Sequence, residues 1–346
     1  MKNIADIDKN LRVETTLKET DIKFYNVKDY PERLFGLLFD EQFRRLPEDI
    51  AKATNNGVYN LHTNTSGGRF RFVTDSPYVA ISVKMPNITR FPHMPPTGTT
   101  GFDLYVGDVF AGMFKPSVNI ESGYDSIVHL KESGKQEITI NFPLYNNVTD
   151  VFVGVKEGSV FEEACRYKSD KRVIYYGSSI TQGGCVSRPG NSYPAIVSRI
   201  LDCDFVNLGF SGSARGELCM AEYIAKQEHS IFVLDYDHNA PTLEHLEETH
   251  EVFFKEYRKV QKDTPVVMIS APDIRFNKEK LQKRRAVIRR TYENAVAAGD
   301  KNVYFIDGET LWDGFAWDSC TMDCVHPNDL GHMRMAQVIA PVIEKI

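Results

Sequence analysis

With 346 residues, 42% of them hydrophobic, the chain exceeds what one core of ordinary domain size holds, so two domains are expected. A formal net charge of -6 argues against the basic face that nucleic acid requires, and six cysteines confined to the second half, with no Cys-x-x-Cys pair, argue against a disulfide-stapled scaffold. No stretch approaches a membrane span, and Met1-Lys2-Asn3-Ile4-Ala5-Asp6-Ile7-Asp8 lacks the apolar core of a signal peptide. The expectation is a cytoplasmic chain with free thiols and neither nucleic-acid nor membrane partners, with homo-oligomerisation left open.

Between about Asn56 and Val155 the pattern has period two. Phe70 and Phe72 alternate with arginines, then come Val79, Ile81 and Val83, then Ile138, Ile140 and Phe142. Ser66-Gly67-Gly68, Ser76-Pro77 and Ser133-Gly134-Lys135 punctuate these runs at spacings that suit a jelly-roll-like β-sandwich. The first domain is therefore placed at 1–168, with the boundary in Lys168-Ser169-Asp170-Lys171.

Over 169–346 the texture changes. Strands are expected at Val173 to Tyr176, Asp204 to Leu208, Ile231 to Asp235, Pro265 to Ser270 and Val303 to Ile306. Helices are expected near Ser192 to Leu201, Leu243 to Gln261, Lys278 to Ala298 and Asn328 to Glu344. Such alternation implies an α/β domain whose parallel sheet is covered on both faces, with ligands at the carboxyl ends of its strands. The densest positive cluster, Lys283-Arg284-Arg285 with Arg289-Arg290, reads as a solvated helix face. Cys320 and Cys324 form a weak zinc signal.

Four stretches carry chemistry. Val173-Ile174-Tyr175-Tyr176-Gly177-Ser178-Ser179-Ile180-Thr181-Gln182-Gly183 reads as a buried strand running into a glycine turn that exposes a hydroxyl. Asp323-Cys324-Val325-His326-Pro327 puts a carboxylate and an imidazole on one short loop, as a general base and its orienting group require. Between them, Asn207 to Gly212 and Asp235 to Asn239 each follow an expected strand. Each motif alone has an ordinary reading: a helix cap for the serines, a capped helix start for Asp-x-x-His-Pro, a turn residue for Asn239. Together and in this order they point to a serine esterase.

This set resembles the SGNH, or GDSL-like, hydrolase family, whose order is Gly-Asp-Ser, a glycine, an asparagine, then Asp-x-x-His. The resemblance implies a flavodoxin-like three-layer domain, Ser179 as nucleophile, His326 as base and Asp323 as its orienting acid. It also implies an oxyanion hole made of the Ser179 and Gly212 backbone N–H groups and the Asn239 amide, with no metal or cofactor. Ser178 stands where the family has Asp, and the usual Gly before Asn239 is missing, so the choice of Ser179 over Ser178 rests on the family register. Gly101-Phe102-Asp103-Leu104-Tyr105 resembles a signature of the β-rich domain that precedes some two-domain members, and Phe142-Pro143-Leu144-Tyr145-Asn146 fits the same build. Members of this build look like carbohydrate esterases, which makes a small acylated substrate, a sugar ester carrying a short acyl group such as acetyl, the expected partner. Arg188, Trp312 with Trp317, and Asp103 are candidates to line or close the pocket, with Arg188 paired to Glu217. Hydrolysis is expected to fall in acid, where an imidazolium cannot accept the serine proton.

Two other readings remain open at this point. A metal-dependent phosphoesterase would use Asp237, His238, Asp323 and His326 as ligands, although their spacing matches no common metal motif. A non-catalytic sugar-binding protein would use Tyr78, Phe91, Phe102 and Tyr105 as a platform, although alternation places most of these in the core.

Overall fold

A computed structural model describes residues 17–346 apart from Glu41, so the Met1-to-Asp8 reading lies outside the described residues. The amino-terminal strands are β1 (Ile22–Asn26), β2 (Arg69–Thr74), β3 (Tyr78–Lys84), β4 (Phe102–Val106), β5 (Val109–Phe114), β6 (Gly123–His129), β7 (Gln136–Asn141) and β8 (Asp150–Lys156). They form two antiparallel sheets, β1-β8-β3-β6 and β2-β7-β4-β5. The expected alternation is what folds them: Phe70, Phe72, Val79, Ile81, Ile138 and Ile140 all point into one core between the sheets.

The arginines of β2 do not face water. Arg69 and Arg71 are almost fully buried. Arg69 stacks on Phe205 at 3.9 Å and pairs with Asp204, while Arg71 lies over Tyr167 at 4.0 Å. The polar face of this sheet is therefore the contact with the second domain.

That domain contains a parallel sheet of β9 (Arg172–Gly177), β10 (Asp204–Gly209), β11 (Ile231–Asp235), β12 (Val266–Ile269) and β13 (Val303–Ile306), in the order β10-β9-β11-β12-β13. The run Val173-Ile174-Tyr175-Tyr176 splits by parity between two cores. Ile174 and Tyr176 enter one, Val173 and Tyr175 the other, so the strand is buried on both faces.

Two segments differ from expectation. Asn56–Leu61, assigned to the β region, is a helix (α2) that follows α1 (Glu48–Thr54); the Asn55 side chain caps it by accepting from Val58 N at 2.9 Å. Leu46, Ala51 and Val58 bury into the α/β core, so this hairpin packs with the second domain although it precedes the sandwich strands. The neighbouring Arg45 is fully buried and donates to the carbonyls of Asn64, Leu61, Asn207 and Gly209, which ties the hairpin to the end of β10. The basic helix α7 (Lys278–Ala297) is only partly a solvated face. Arg284 is buried and donates to the carbonyls of Asp237 and Ala240, a role invisible to a charge count.

Besides a one-turn helix over Pro96–Thr99, the remaining helices are α3 (Ser179–Gln182), α4 (Tyr193–Leu201), α5 (Leu218–Ala225), α6 (Leu243–Arg258) and α8 (Asp329–Lys345). Helices α5, α6 and α7 cover one face of the sheet, and α4 and α8 the other. All six cysteines are free. Among the described residues no helix is long and apolar enough to cross a membrane.

Candidate active site

The sheet order reverses at β9, and the first short helix begins there, at the crevice where open α/β sheets take ligands. Gly177 ends the strand where a Cβ would meet the Asp235 carbonyl oxygen at 2.5 Å, so only glycine lets the turn lie this close to β11. Ser178 caps α3, its Oγ accepting from Ile180 N at 3.2 Å and its own N–H donating to Asp235 O at 3.1 Å. It is thereby committed to structure. Ser179 takes the first helical position, where the backbone N–H has no intrahelical partner. Gly183, at φ 101°, closes the turn in the left-handed region.

Ser179 Oγ lies 2.9 Å from His326 Nε2, and His326 Nδ1 lies 2.7 Å from Asp323 Oδ2. Asp323 Oδ1 also accepts from the backbone N–H groups of His326 at 2.7 Å and Val325 at 3.1 Å. Partial burial pushes the Asp323 carboxyl up, but these N–H groups and the His326 ring outweigh it and hold the pKa below the usual carboxylate value. An ionised Asp323 keeps the proton on Nδ1 and leaves Nε2 as an acceptor facing the serine.

The Asn239 amide is fixed in one orientation. Its Oδ1 accepts from Gly212 N at 3.1 Å and its Nδ2 donates to Phe210 O at 2.9 Å, leaving one amide hydrogen for a substrate oxygen. Gly212 thus differs from expectation. Its N–H is occupied by the asparagine, so it holds the amide in place instead of standing open. Asn239→Ala is expected to lower kcat by about 10²- to 10³-fold with a smaller change in KM, measured by steady-state ester hydrolysis.

Behind Asn239 sits a buried charged cluster. Asp237 accepts from Ala271 N at 3.0 Å, and His238 Nε2 stands 2.8 Å from Asp273 Oδ1, an ion pair when the ring is protonated. Burial opposes protonation of His238, yet the charges of Asp273 and Asp237 raise it to about 9. Asp237 and His238 therefore brace the turn that carries Asn239, while Asp323 and His326 face Ser179. Among the described residues no group of three or more His, Cys, Asp or Glu side chains is placed to hold a metal ion, and the four-ligand set weighed above is divided between these two roles.

Asp235 accepts from Thr181 Oγ1 at 3.0 Å and Tyr193 OH at 2.9 Å, which joins β11 to the nucleophile turn. Burial, followed by the charge of Asp237, pushes its pKa up to about 7 against those hydroxyls. A raised carboxyl pKa stabilises the fold below the unfolded value and loses that contribution as pH climbs through the folded one. Stability carried by this group should decline from about pH 4 to about pH 7, by up to about 1.4 kcal/mol per unit. Asp235→Asn should gain on wild type across that window in thermal melts, and a constant gap would contradict it.

Other sequence candidates fall elsewhere. Trp312 is 2% exposed, buried in the core layer beneath α4 and α8, and cannot line the pocket. Trp317 packs on Phe276 at 5.0 Å between ring centroids. Arg188 does not reach Glu217, which instead accepts from Asn55 and Tyr176. It pairs with the fully buried Asp103 at 3.1 Å, donates to Tyr105 OH and stacks on Phe110 at 3.9 Å. Asp103 also accepts from Gly190 N at 2.8 Å and Asn141 Nδ2 at 2.7 Å. These two residues clamp the domains together. Of the sandwich aromatics, Tyr78, Phe102 and Tyr105 are core residues.

Sequence reasoning missed three neighbours of the serine. Gln182 accepts from Ser211 N at 2.9 Å and donates to Leu144 O at 3.1 Å. Tyr145 OH donates to Ser179 O at 3.3 Å. His93, exposed on the β3–β4 connection, has its ring centroid 6.2 Å from that of His326, with the planes 28° apart. Gln182 and Tyr145 lay within the motifs but carried no signal for these contacts, and none marks His93, because the partners are remote in sequence.

A parallel sheet of this order, with a serine at its switch point and an Asp–His loop after its last strand, defines an SGNH-type α/β hydrolase. The GDSL-like lipase/acylhydrolase family model matches residues 170–344, and a model for the N-terminus of SGNH-hydrolase-type esterases matches 22–161. The chain belongs to the GDSL-like lipase/acylhydrolase family. Among solved structures it is similar to a Bacteroides ovatus protein assigned as a GDSL-like lipase, at 26% identity and TM-score 0.84, covering 94% of this chain and 97% of that one. It also shares the fold of a salicylyl-acyltransferase from a tetracycline biosynthetic pathway (19% identity, TM-score 0.77, covering 95% and 98%). A third relative in fold is an acetyl xylan esterase from the rumen bacterium Butyrivibrio proteoclasticus (12% identity, TM-score 0.58, covering 94% and 98%). No curated protein matches the chain.

Proposed function

We propose that the protein is a serine esterase that removes short acyl groups, acetyl foremost, from carbohydrate esters. One observation carries the reading: a line of contacts from Ser179 Oγ to His326 Nε2 at 2.9 Å and from His326 Nδ1 to Asp323 Oδ2 at 2.7 Å. As Ser179 Oγ bonds to the acyl carbon, its proton passes to Nε2. The carbonyl oxygen, now negative, is met by the Ser179 N–H and the free Asn239 amide hydrogen. The carbon–oxygen bond to the alcohol then breaks and the alcohol leaves with the proton from Nε2. Water repeats the sequence on the acyl-enzyme, losing a proton to Nε2, and the carboxylic acid departs as Ser179 regains its hydrogen.

The preference for short acyl groups on sugars is supported by the carbohydrate esterases among proteins of this fold, including the acetyl xylan esterase. The test is an acid-release assay across acetylated sugars and aryl esters of graded acyl length. Acetate release that fades as the acyl chain lengthens is the expected result. Preference for long acyl chains would refute the substrate assignment, and absence of turnover on every ester would refute the activity.

A further inference from the structure

We propose that the β domain selects the alcohol half of the ester, with His93 as the specificity-determining residue and a polyhydroxylated ring as the alcohol it fits. This rests on the esterase reading above. The connection between β3 and β4 reaches across the domain boundary and is seated firmly there. Gly98 lies where a Cβ would meet the Val186 carbonyl oxygen at 2.3 Å, and Thr97 Oγ1 donates to Ser187 O at 2.7 Å. Met94 is buried with Leu144, Tyr145, Cys185 and Val186, just past the nucleophile turn. Held by these anchors, Phe91-Pro92-His93-Met94-Pro95-Pro96 forms a rim in which three prolines limit backbone freedom, so little conformational entropy is lost when a ligand settles on it.

The side chains left open on this rim are chemically specific. Phe91 is half-buried, set edge-on to Tyr145 at 5.3 Å between centroids, and its ring lies 5.5 Å from that of His93. His93 is exposed and flanks the ring of His326. The reaction determines which half of the substrate meets them. The carbonyl oxygen must approach Asn239, carried by the turn after β11, whereas the departing alcohol must lie within hydrogen-bond reach of His326 Nε2 to take its proton. A group beside the His326 ring therefore touches the alcohol in acylation. The acyl group, held by the carbonyl geometry, is read by the α/β domain. An imidazole offers a polar nitrogen and a flat face, and Phe91 a second flat face. A sugar presents C–H faces and hydroxyl edges that match both.

The test compares two selectivity ratios in wild type, His93→Ala and Phe91→Ala, using kcat/KM. The first ratio holds the acyl group constant and changes the alcohol, an acetylated monosaccharide against ethyl acetate. The second holds the alcohol constant and changes the acyl group, ethyl acetate against ethyl butyrate. His93→Ala should lower the alcohol ratio about tenfold and leave the acyl ratio within about twofold. Phe91→Ala should move the same ratio in the same direction. An unchanged alcohol ratio in His93→Ala, or a larger change in the acyl ratio, would overturn the proposal. Ser179→Ala in the same assay separates the two levels. If that variant still hydrolyses every ester, the esterase mechanism fails; if it is inactive while the alcohol ratio of His93→Ala stays at the wild-type value, only the role of the β domain fails.

Discussion

Ser179→Ala is expected to lower kcat by about 10⁶-fold, and combining it with His326→Ala should cost almost nothing more. The two side chains act as one unit across a single 2.9 Å contact, so removing either leaves the other without a task. The residual rate would come from the Asn239 amide and the Ser179 N–H, which survive both changes. Ser178→Ala makes the control. It removes the cap on Ile180 N and should cost about 1 kcal/mol of stability without approaching the loss seen at the neighbouring serine. Comparable loss of turnover in the two serine variants would overturn the assignment of the nucleophile.

Asp323→Asn should lower kcat by about 10⁴-fold with little change in melting temperature. Both carboxylate oxygens are in use, one on the His326 ring and the other on the backbone N–H groups of Val325 and His326. An asparagine has a single acceptor oxygen. If that oxygen keeps the two backbone donors, the amide NH₂ faces Nδ1 and favours the tautomer with its proton on Nε2, which cannot accept from serine. Steady-state kinetics at neutral pH test this directly. A loss below about tenfold would mean that Asp323 does not set the tautomer.

How much of this was legible before folding depends on how local the determining interaction is. The strand-to-serine turn, the Asp–His loop, the alternating strands of the first domain and the apolar strands of the second are written in contiguous residues. Period-two and period-3.6 patterns and glycine positions carry them, and the structure places Ser179, His326 and Asp323 side by side from fragments quoted in isolation. The same locality explains the errors. Trp312 stood close to the Asp–His loop in sequence but is buried in the core beneath α4 and α8, and Arg188 was matched with a carboxylate that has other partners. Arg284 looked like solvent-facing charge because a helix pattern does not reveal which arginine finds carbonyl oxygens beneath it.

Amino-acid order alone was enough for the architecture and the family resemblance, and it singled out the serine, histidine and aspartate that the fold brings together, since each depends on spacing along a few residues. Packing between distant segments decided the remainder: that Gly212 holds Asn239 through its N–H, that Asp103 and Arg188 lock the two domains, and that His93 stands beside His326. These outcomes depend on contacts between residues roughly 27 to more than 200 positions apart. Which partner each polar group finds there is set by burial and geometry once the chain has closed on itself, and no short-range pattern encodes that choice.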